Sequence, residues 1–431
     1  MHIKTRRGLD IPLEGAAEPA LHPFPATDRI ALDLTPFGPI RWKGLVKEGE
    51  AIRLGEPLVY DKEEESLKLL SPAGGKVVEI RKGEKMRLTT LVIERDREEA
   101  VFEHARLAPE RATLEAFAER GLFGHIRSRP FGLIARPDKP PRAIFIQALE
   151  SAPFVPPSDL QVKGHEEPFQ AGVRALAEIA PVHLVCREGT FTGVEGAQRH
   201  TAEGPHPIAS PSLHIAKIAP IGSVKEVVWT LRAHDVVAIG TLLTTGRPHT
   251  ERVISLAGMG FERRHHLRVR NGVALTEFVP KPGARLISGD PLTGTRVGPE
   301  DFLGTDHFSL CAIPQDERRP WFYFLRPSFG RYTSYRTYPS LRGPYNLSTR
   351  KHGEERPFVD GTVYDRVMPL PIPTMPLVKA VMAGEWEKAE EYGLLSVVPE
   401  DFALATFVCP SKIEMVEAIE RGLDRYRGEL L

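Results

Sequence analysis

Residues 28–95 are cut into short apolar runs by glycines. Gly44, Gly49 and Gly55 punctuate "GPIRWKGLVKEGEAIRLGEPLVY", and Lys82-Gly83 interrupts "GGKVVEIRKGEKMRLTTLVIE". Runs of this length suit strands rather than stable helices, and turn residues recur between them. The spacing predicts a small all-β module before anything else in the chain is read.

Within that module, Leu58 to Ile80 reads as strand, Asp61-Lys62, an acidic segment, a second strand, Ser71-Pro72-x-Gly74-Gly75 and a third strand. The arrangement resembles the biotinyl/lipoyl carrier domains, which are barrel-sandwich hybrids with a cofactor-bearing lysine at a hairpin tip. Such a lysine has to stand at the apex of a short, exposed tip. Lys62 is instead followed by "EEESLKLL", and Lys68 and Lys76 also lie off any apex. The carrier-like fold is therefore expected over residues 1–107 without the modification. The acidic loop is read as a solvated tip or a docking edge.

A chain of 431 residues exceeds what one core usually organises, so two to four domains are expected. From residue 108 the pattern changes to α/β. "ERATLEAFAERGL" reads as a helix stopped by Gly121, and "RAIFIQAL" as a buried strand. "PFQAGVRALAEIA" is helical, "VHLVC" is a strand, and "VVAIG" after "VKEVVWTLRA" is read as another. Alternation of this kind predicts a Rossmann-like, largely parallel sheet over 108–258.

Residues 259–330 carry an Asn-Gly turn signal and the strand-turn-strand "RLISGDPLTGTRV", read as a small β-rich unit with a short helix to about 315 followed by a hairpin-like "PWFYFL", and the span is expected to be a small ubiquitin-like β-grasp (SLBB) domain. Residues 331–431 are read as an extended crossing segment, to about 370, and then a C-terminal helical domain. There Ser411 and Glu414 suggest a capping box, and Ile413, Val416, Ile419 and Leu423 form one apolar stripe. The fold class is thus α+β, multidomain.

Several chemistries lack their residues. Lys plus Arg and Asp plus Glu number 57 each, so no global field favours nucleic acid. Cys186, Cys311 and Cys409 are scattered, with no Cys-x-x-Cys for zinc or an iron–sulfur cluster. Three scattered thiols suit a reducing cytoplasm. No run of 18 apolar residues offers a membrane span, and the basic N-terminus has no apolar signal core after it. The segment after "RAIFIQALE" holds one glycine, Gly164, and prolines at 153, 156 and 157, where a dinucleotide fold needs free backbone N–H groups. No Gly-rich phosphate motif occurs, so neither NAD nor flavin is expected on this chain. No Ser-His-Asp order or paired-carboxylate motif stands out, and no catalytic residue is assigned.

Four residues are the candidates for contact. His206 and His214 lie with His200 in "RHTAEGPHPIASPSLHI", where Glu203 is the one local carboxylate. That set falls short of a metal site and reads better as a ligand-facing loop after an α/β strand. Arg129 and Phe131 in "RSRPFG" place a guanidinium and a ring beside a proline bend, either as a linker or as a quinone or partner contact. The basic run "FERRHHLRVR" reads as a solvated strand face, or as a docking patch for an acidic partner or lipid headgroups.

Read end to end, the chain resembles the A subunits of the Na+-translocating NADH:quinone reductases. The likeness runs through "RGLDIPLEGAAE", "SPAGGKVVEI", "RSRPFG", "IFIQALESAPF", "GPHP", "HDVVAIGTLLTTGRPHTERVISLAG", "LISGDPLTGT", "DFLGTDH" and "GLLSVVPEDFALATFVCPSKIE", in that order. The resemblance implies a peripheral subunit on the cytoplasmic side of the bacterial inner membrane. It would belong to a six-subunit respiratory complex that oxidises NADH, reduces ubiquinone and exports sodium.

It further implies FMN, FAD, riboflavin and iron–sulfur centres in sister subunits, partnership with the membrane-embedded B subunit, and a cofactor-free, quinone-interacting role for this chain. The domain plan is also similar to the flavin subunit of complex I and the C subunit of the Rnf complex, without their flavin loop and cluster cysteines. A flavin- or NADH-binding redox subunit is therefore the alternative. Two departures stand out: Ala216 where the family usually has a second histidine, and the glutamate run between Asp61 and Leu70.

Overall fold

The computed structural model describes residues 1–24, 27–316, 322, 332–333 and 343–430. The glycine-punctuated stretch forms two small sheets over one core. The four-stranded sheet runs Arg29–Asp33, Leu88–Arg95, Gly75–Lys82, Ala51–Ile52, and the three-stranded sheet Trp42–Gly44, Pro57–Asp61, Lys68–Leu70. Ile30, Leu58, Leu67, Val77, Leu91 and Ile93 are fully buried between them. Gly75 has φ +152°, and a Cβ there would lie 2.0 Å from the Glu94 carbonyl oxygen, so only glycine lets these strands meet.

The reversal expected at Lys82-Gly83 is centred two residues later. Arg87 N–H donates to Glu84 O, and Lys85 and Met86 are both left-handed, with φ 53° and 60°. Lys62 follows the Pro57–Asp61 strand directly, and its N–H donates to Arg41 O at 3.2 Å. The Glu64 carboxylate accepts from the Ser66 hydroxyl at 2.5 Å, so the acidic connection is closed on itself.

The second unit is a seven-stranded sheet ordered His2–Lys4, Gln198–Glu203, Val182–Cys186, Ala143–Ala148, Val228–Arg232, Arg127–Arg129, Leu133–Ile134. The first five strands are parallel, and the last two are added by antiparallel pairings, so that only Arg127–Arg129 runs against the rest. Successive side chains of Ala143–Ala148 enter different cores, as strand geometry requires. Ile144 and Ile146 pack with the barrel and the helices Glu166–Ala177 and Ala233–Thr245. Ala143 and Phe145 pack with the C-terminal helices. A sheet covered on both faces accounts for the uninterrupted apolar runs in the sequence.

One expected strand is a helix. Val236–Gly240 ("VVAIG") lies inside Ala233–Thr245, and the strand is the preceding Val228–Arg232. All five residues of that run are buried. A helix enclosed all round shows no amphipathic period, and a short apolar run then fits either structure.

The third sheet has six strands, in the order Thr295–Arg296, Ala284–Ser288, Ser309–Pro314, Glu251–Ala257, His265–Arg270, Glu18–Pro23. It thus starts at Glu251, ahead of the expected limit at 259, and takes a strand from the N-terminal segment. After it, the hairpin expected at 320–325 lies outside the described residues save Phe322. Residues 343–361 carry no helix or strand, and Thr362–Val367 then opens a series of helices ending with Met415–Leu430.

The expected capping box at the last helix does not form. The Ser411 hydroxyl donates to Pro357 O at 3.2 Å, and the Glu414 carboxylate takes Lys351 at 3.0 Å. The Met415 N–H is met by the Thr406 hydroxyl at 3.1 Å instead. A tertiary partner has replaced the local cap. Ile413, Ile419 and Leu423 are buried as the stripe predicts.

Candidate functional site

From Ala143–Ala148 the chain moves to Val182–Cys186 and Gln198–Glu203 on one side, then returns to Val228–Arg232 on the other. The direction of winding reverses between Ala143–Ala148 and Val228–Arg232. In open parallel sheets the crevice outside the carboxyl ends at that point is the usual ligand site. A cavity of about 480 Å³ lies there. Gln147, Glu150 and Arg232 come from the two strand ends, and Ser151 and His206 from the following loops. Arg127 and Arg129 come from the antiparallel edge, and Thr35 and Pro36 from the barrel. Asp290, Asp306 and His307 come from the third unit, and Glu400 and Asp401 from the C-terminal part.

The cleft is rich in carboxylates. Glu150 is 12% exposed at its side chain, 3.6 Å from an Arg232 nitrogen. It also accepts from Gln147 Nε2 at 3.2 Å. Burial pushes its carboxyl above the ordinary range, against the pull of Arg232. Asp235 accepts the Arg232 N–H at 3.0 Å and so caps the Ala233–Thr245 helix, with His125 Nδ1 at 3.3 Å from its other oxygen. Asp290 accepts the N–H groups of Leu292 and Thr293 at 2.8 and 3.2 Å. Partial desolvation works against ionising the half-exposed Asp306, yet Arg127, donating at 2.5 Å, holds its carboxyl below the usual value.

Two of the four candidate residues meet in this cleft. Arg129 is buried and lines it, donating through Nη1 to the Ser212 hydroxyl at 2.8 Å, and its Nε has no protein partner among the described residues. His206 also lines it, with Nδ1 3.0 Å from the Ser151 hydroxyl and its backbone N–H on Asp10 at 2.9 Å.

The other two point elsewhere. Phe131 turns away at φ 82° and packs 6.2 Å from the Tyr426 ring on the last helix. His214 is fully buried on the helix Pro211–Ile218, with Nε2 2.8 Å from Ile208 O, and burial pushes its pKa down to about 4. His200 joins His183 at 3.1 Å rather than the cleft.

The basic run is neither a solvated face nor an open docking patch. His265–Arg270 is an interior strand between Glu251–Ala257 and Glu18–Pro23, and Arg263 is the one exposed cation of the run. His266 meets the Ser255 hydroxyl at 3.0 Å, and Arg268 meets His165 at 3.1 Å. Arg270 donates to Pro72 O and Glu99 at 2.9 Å each, tying this sheet to the barrel.

Glu150 and Arg232 escaped the sequence reading. The ends of the two central strands carry them, in "IQALE" and "WTLRA". A strand expected at Val236–Gly240 puts its carboxyl end past Arg232, and the glycine and prolines after "IFIQAL" bear on a phosphate nest rather than on Glu150.

Comparison with known proteins gives matches along the whole chain. Residues 3–96 match the NqrA N-terminal barrel-sandwich hybrid domain, and residues 109–248 the NqrA second alpha/beta domain. The A subunit of the Na(+)-translocating NADH-quinone reductase from Chlamydia pneumoniae is 35% identical over 460 aligned positions, covering 100% of this chain and 98% of that protein. Its counterpart from Pseudomonas aeruginosa is 34% identical, covering 99% of this chain and 100% of that protein. Among solved structures, an NAD+-reducing [NiFe]-hydrogenase in the air-oxidized state aligns at 15% identity over 41% of this chain and 40% of that one. Its TM-score of 0.31 carries no argument.

Proposed function

The chain belongs to the NqrA family, the A subunits of the Na(+)-translocating NADH-quinone reductase, and from that membership we propose a quinone-contacting role for it within the complex. In this reading it sits peripherally on the cytoplasmic side of the membrane, against the membrane-embedded B subunit. It carries no redox cofactor of its own and leaves flavin and iron–sulfur chemistry to sister subunits. No helix among the described residues is long and apolar enough to cross a membrane. The α/β unit is taken as Rossmann-like and the third unit as an SLBB-type β-grasp.

The observation that supports the quinone role is the meeting of Arg129 and His206 in the cleft at the winding reversal. A quinone is neutral and planar, and its two carbonyl oxygens need donors. The Arg129 guanidinium is one donor. His206 spends Nδ1 on Ser151, which leaves Nε2 for a ligand. Good geometry to a charged donor is worth about 1.5–3 kcal/mol per hydrogen bond.

The surroundings disfavour the flavin- or NADH-binding alternative. A pyrophosphate seeks a helix N-terminus with free N–H groups. Here Asp235 already occupies the N-terminus of Ala233–Thr245, and Glu150, Asp290 and Asp306 stand near it. Like charge repels the dinucleotide from this position.

Titration of the purified chain with a short-tailed ubiquinone analogue, followed by tryptophan fluorescence, tests the proposal. A saturable change, weakened about tenfold in His206→Gln and Arg129→Gln at unchanged Tm, is expected from losing one such hydrogen bond. A flat titration of the wild-type chain overturns the quinone contact and leaves a scaffold. Flavin absorbance in the purified protein would favour the alternative.

A further inference from the structure

The barrel tip carries two exposed apolar side chains on adjoining loops. Met86 is 71% exposed and Leu45 48%. The loops touch, because a Cβ on Gly44 would lie 3.8 Å from Leu88. Lys47, Lys82 and Lys85 are exposed around them, Arg87 is half-buried beside them, and Lys43 is exposed with its ammonium 5.4 Å from the Tyr60 ring. Of the local carboxylates, Glu48 accepts the Ile80 N–H at 2.8 Å and Glu50 the Lys47 N–H at 2.9 Å, so both are held against the backbone. Glu84 is the remaining one in the turn, and it is exposed.

The turn holds this display at a cost. Lys85 and Met86 both occupy the left-handed region, where a two-residue hairpin ordinarily uses Asn-Gly. Neither residue is favoured there by its own backbone preference, and strain of this kind collects at contact sites. The hairpin base is anchored: Arg81 stacks 5.5 Å from the Phe302 ring and reaches Asp301 at 3.7 Å.

We propose that the tip formed by Leu45 and Met86, with its ring of lysines, docks on the anionic phospholipid headgroups of a bilayer. Two apolar side chains would enter the headgroup region, and the cations would meet the lipid phosphates. Charge complementarity selects this occupant, since Lys47, Lys82, Lys85 and Arg87 outnumber Glu48, Glu50 and Glu84 at the tip, and a bacterial membrane surface is anionic. Family membership enters only in placing a membrane close by. The tip also lies at the sheet end that leads into the cleft. Leu34 N–H donates to Thr89 O at 2.8 Å, and Thr35 and Pro36, which follow at once, line the cavity. A tip seated on lipid would hold that side of the cleft close to where a lipophilic quinone resides.

Flotation of the full chain with phosphatidylglycerol–phosphatidylethanolamine vesicles, against phosphatidylcholine vesicles, tests this. The chain is expected to float with the anionic vesicles only, and to be released by salt. Lys82→Gln and Lys85→Gln each weaken binding about fivefold. Met86→Ser weakens it further, and Val279→Ser, an exposed apolar site on another unit, leaves it unchanged. Unchanged Tm checks the fold of each variant. Failure to float, or flotation indifferent to these changes, overturns the proposal. Cross-linking of position 86 to a sister subunit in the assembled complex, without vesicle binding, assigns the tip to an acidic protein face instead. A quinone titration that succeeds while flotation fails separates this proposal from the functional one.

Discussion

Arg127 donates to the Asp306 carboxylate at 2.5 Å, joining the edge of the parallel sheet to the third unit. The same guanidinium lies 4.8 Å from the Phe37 ring of the barrel. One side chain therefore pins three units beside the cleft. Arg127→Met should lower stability by about 1–2 kcal/mol, from a lost charge-assisted hydrogen bond and a cation–π contact. Asp306 is 48% exposed at its side chain, so solvent screening keeps the figure at the low end. Denaturant midpoints at unchanged m-value check it.

Two glycines set the distance between the Glu166–Ala177 and Ala233–Thr245 helices. A Cβ on Gly240 would lie 1.8 Å from Pro168 O, and one on Gly172 2.2 Å from Val236 O. These are backbone contacts and cannot be relieved by a rotamer change. Gly240→Ala should cost about 3 kcal/mol or prevent folding, read from urea unfolding or soluble yield.

Acid should loosen the junction behind the cleft. The His249 ring lies 4.8 Å from His165 and 5.4 Å from His234. Burial, and then its neighbours His165, His125, Arg268 and Arg252, push His249 down to about 3. Burial and Arg252 hold His234 well below its ordinary value. Below pH 6.5 the unfolded chain binds these protons and the folded chain does not. Stability then falls with decreasing pH, by about 1.4 kcal/mol per unit for each such histidine, until the folded groups titrate. His249→Phe should flatten urea-derived stability between pH 6 and 4 by about that slope.

The three thiols should be silent in the native protein. Cys186, Cys311 and Cys409 are fully buried. Burial pushes the Cys311 thiol up, and Cys409 sits 3.1 Å from the Tyr364 hydroxyl. A thiol reagent should react with all three in guanidinium and with none in buffer. Native reaction at any one would show local opening there.

The sequence was most legible where burial is one-sided or glycine is obligatory. The barrel strands and the stripe Ile413, Ile419, Leu423 follow period and punctuation. Val236–Gly240 was opaque because all five of its residues are buried, which erases the period that separates helix from strand. The Ser411 cap fails because Thr406, on the preceding helix Ala403–Val408, supplies the acceptor. In the cleft, Arg129 and His206 were found from residue type and loop context. Glu150 and Arg232 meet only at the ends of two paired strands, Asp290 and Asp306 reach the same cleft from the third unit, and no local pattern announces which charges will share a cleft.

The N-terminal segment gives an edge strand to each of two sheets. His2–Lys4 pairs with Gln198–Glu203, and Glu18–Pro23 pairs with His265–Arg270. His2 and its partner Thr201 are 199 residues apart. At ribosomal speeds of roughly 5–20 residues per second, that separation keeps the leading strand unpaired for about 10–40 s of synthesis. The barrel's own strand pairings all lie within residues 29–95 and can form meanwhile. The opening residues of the chain thus act as its closing stitch, and nascent protein should remain sensitive to proteases and chaperones at its front end until translation is well past the middle.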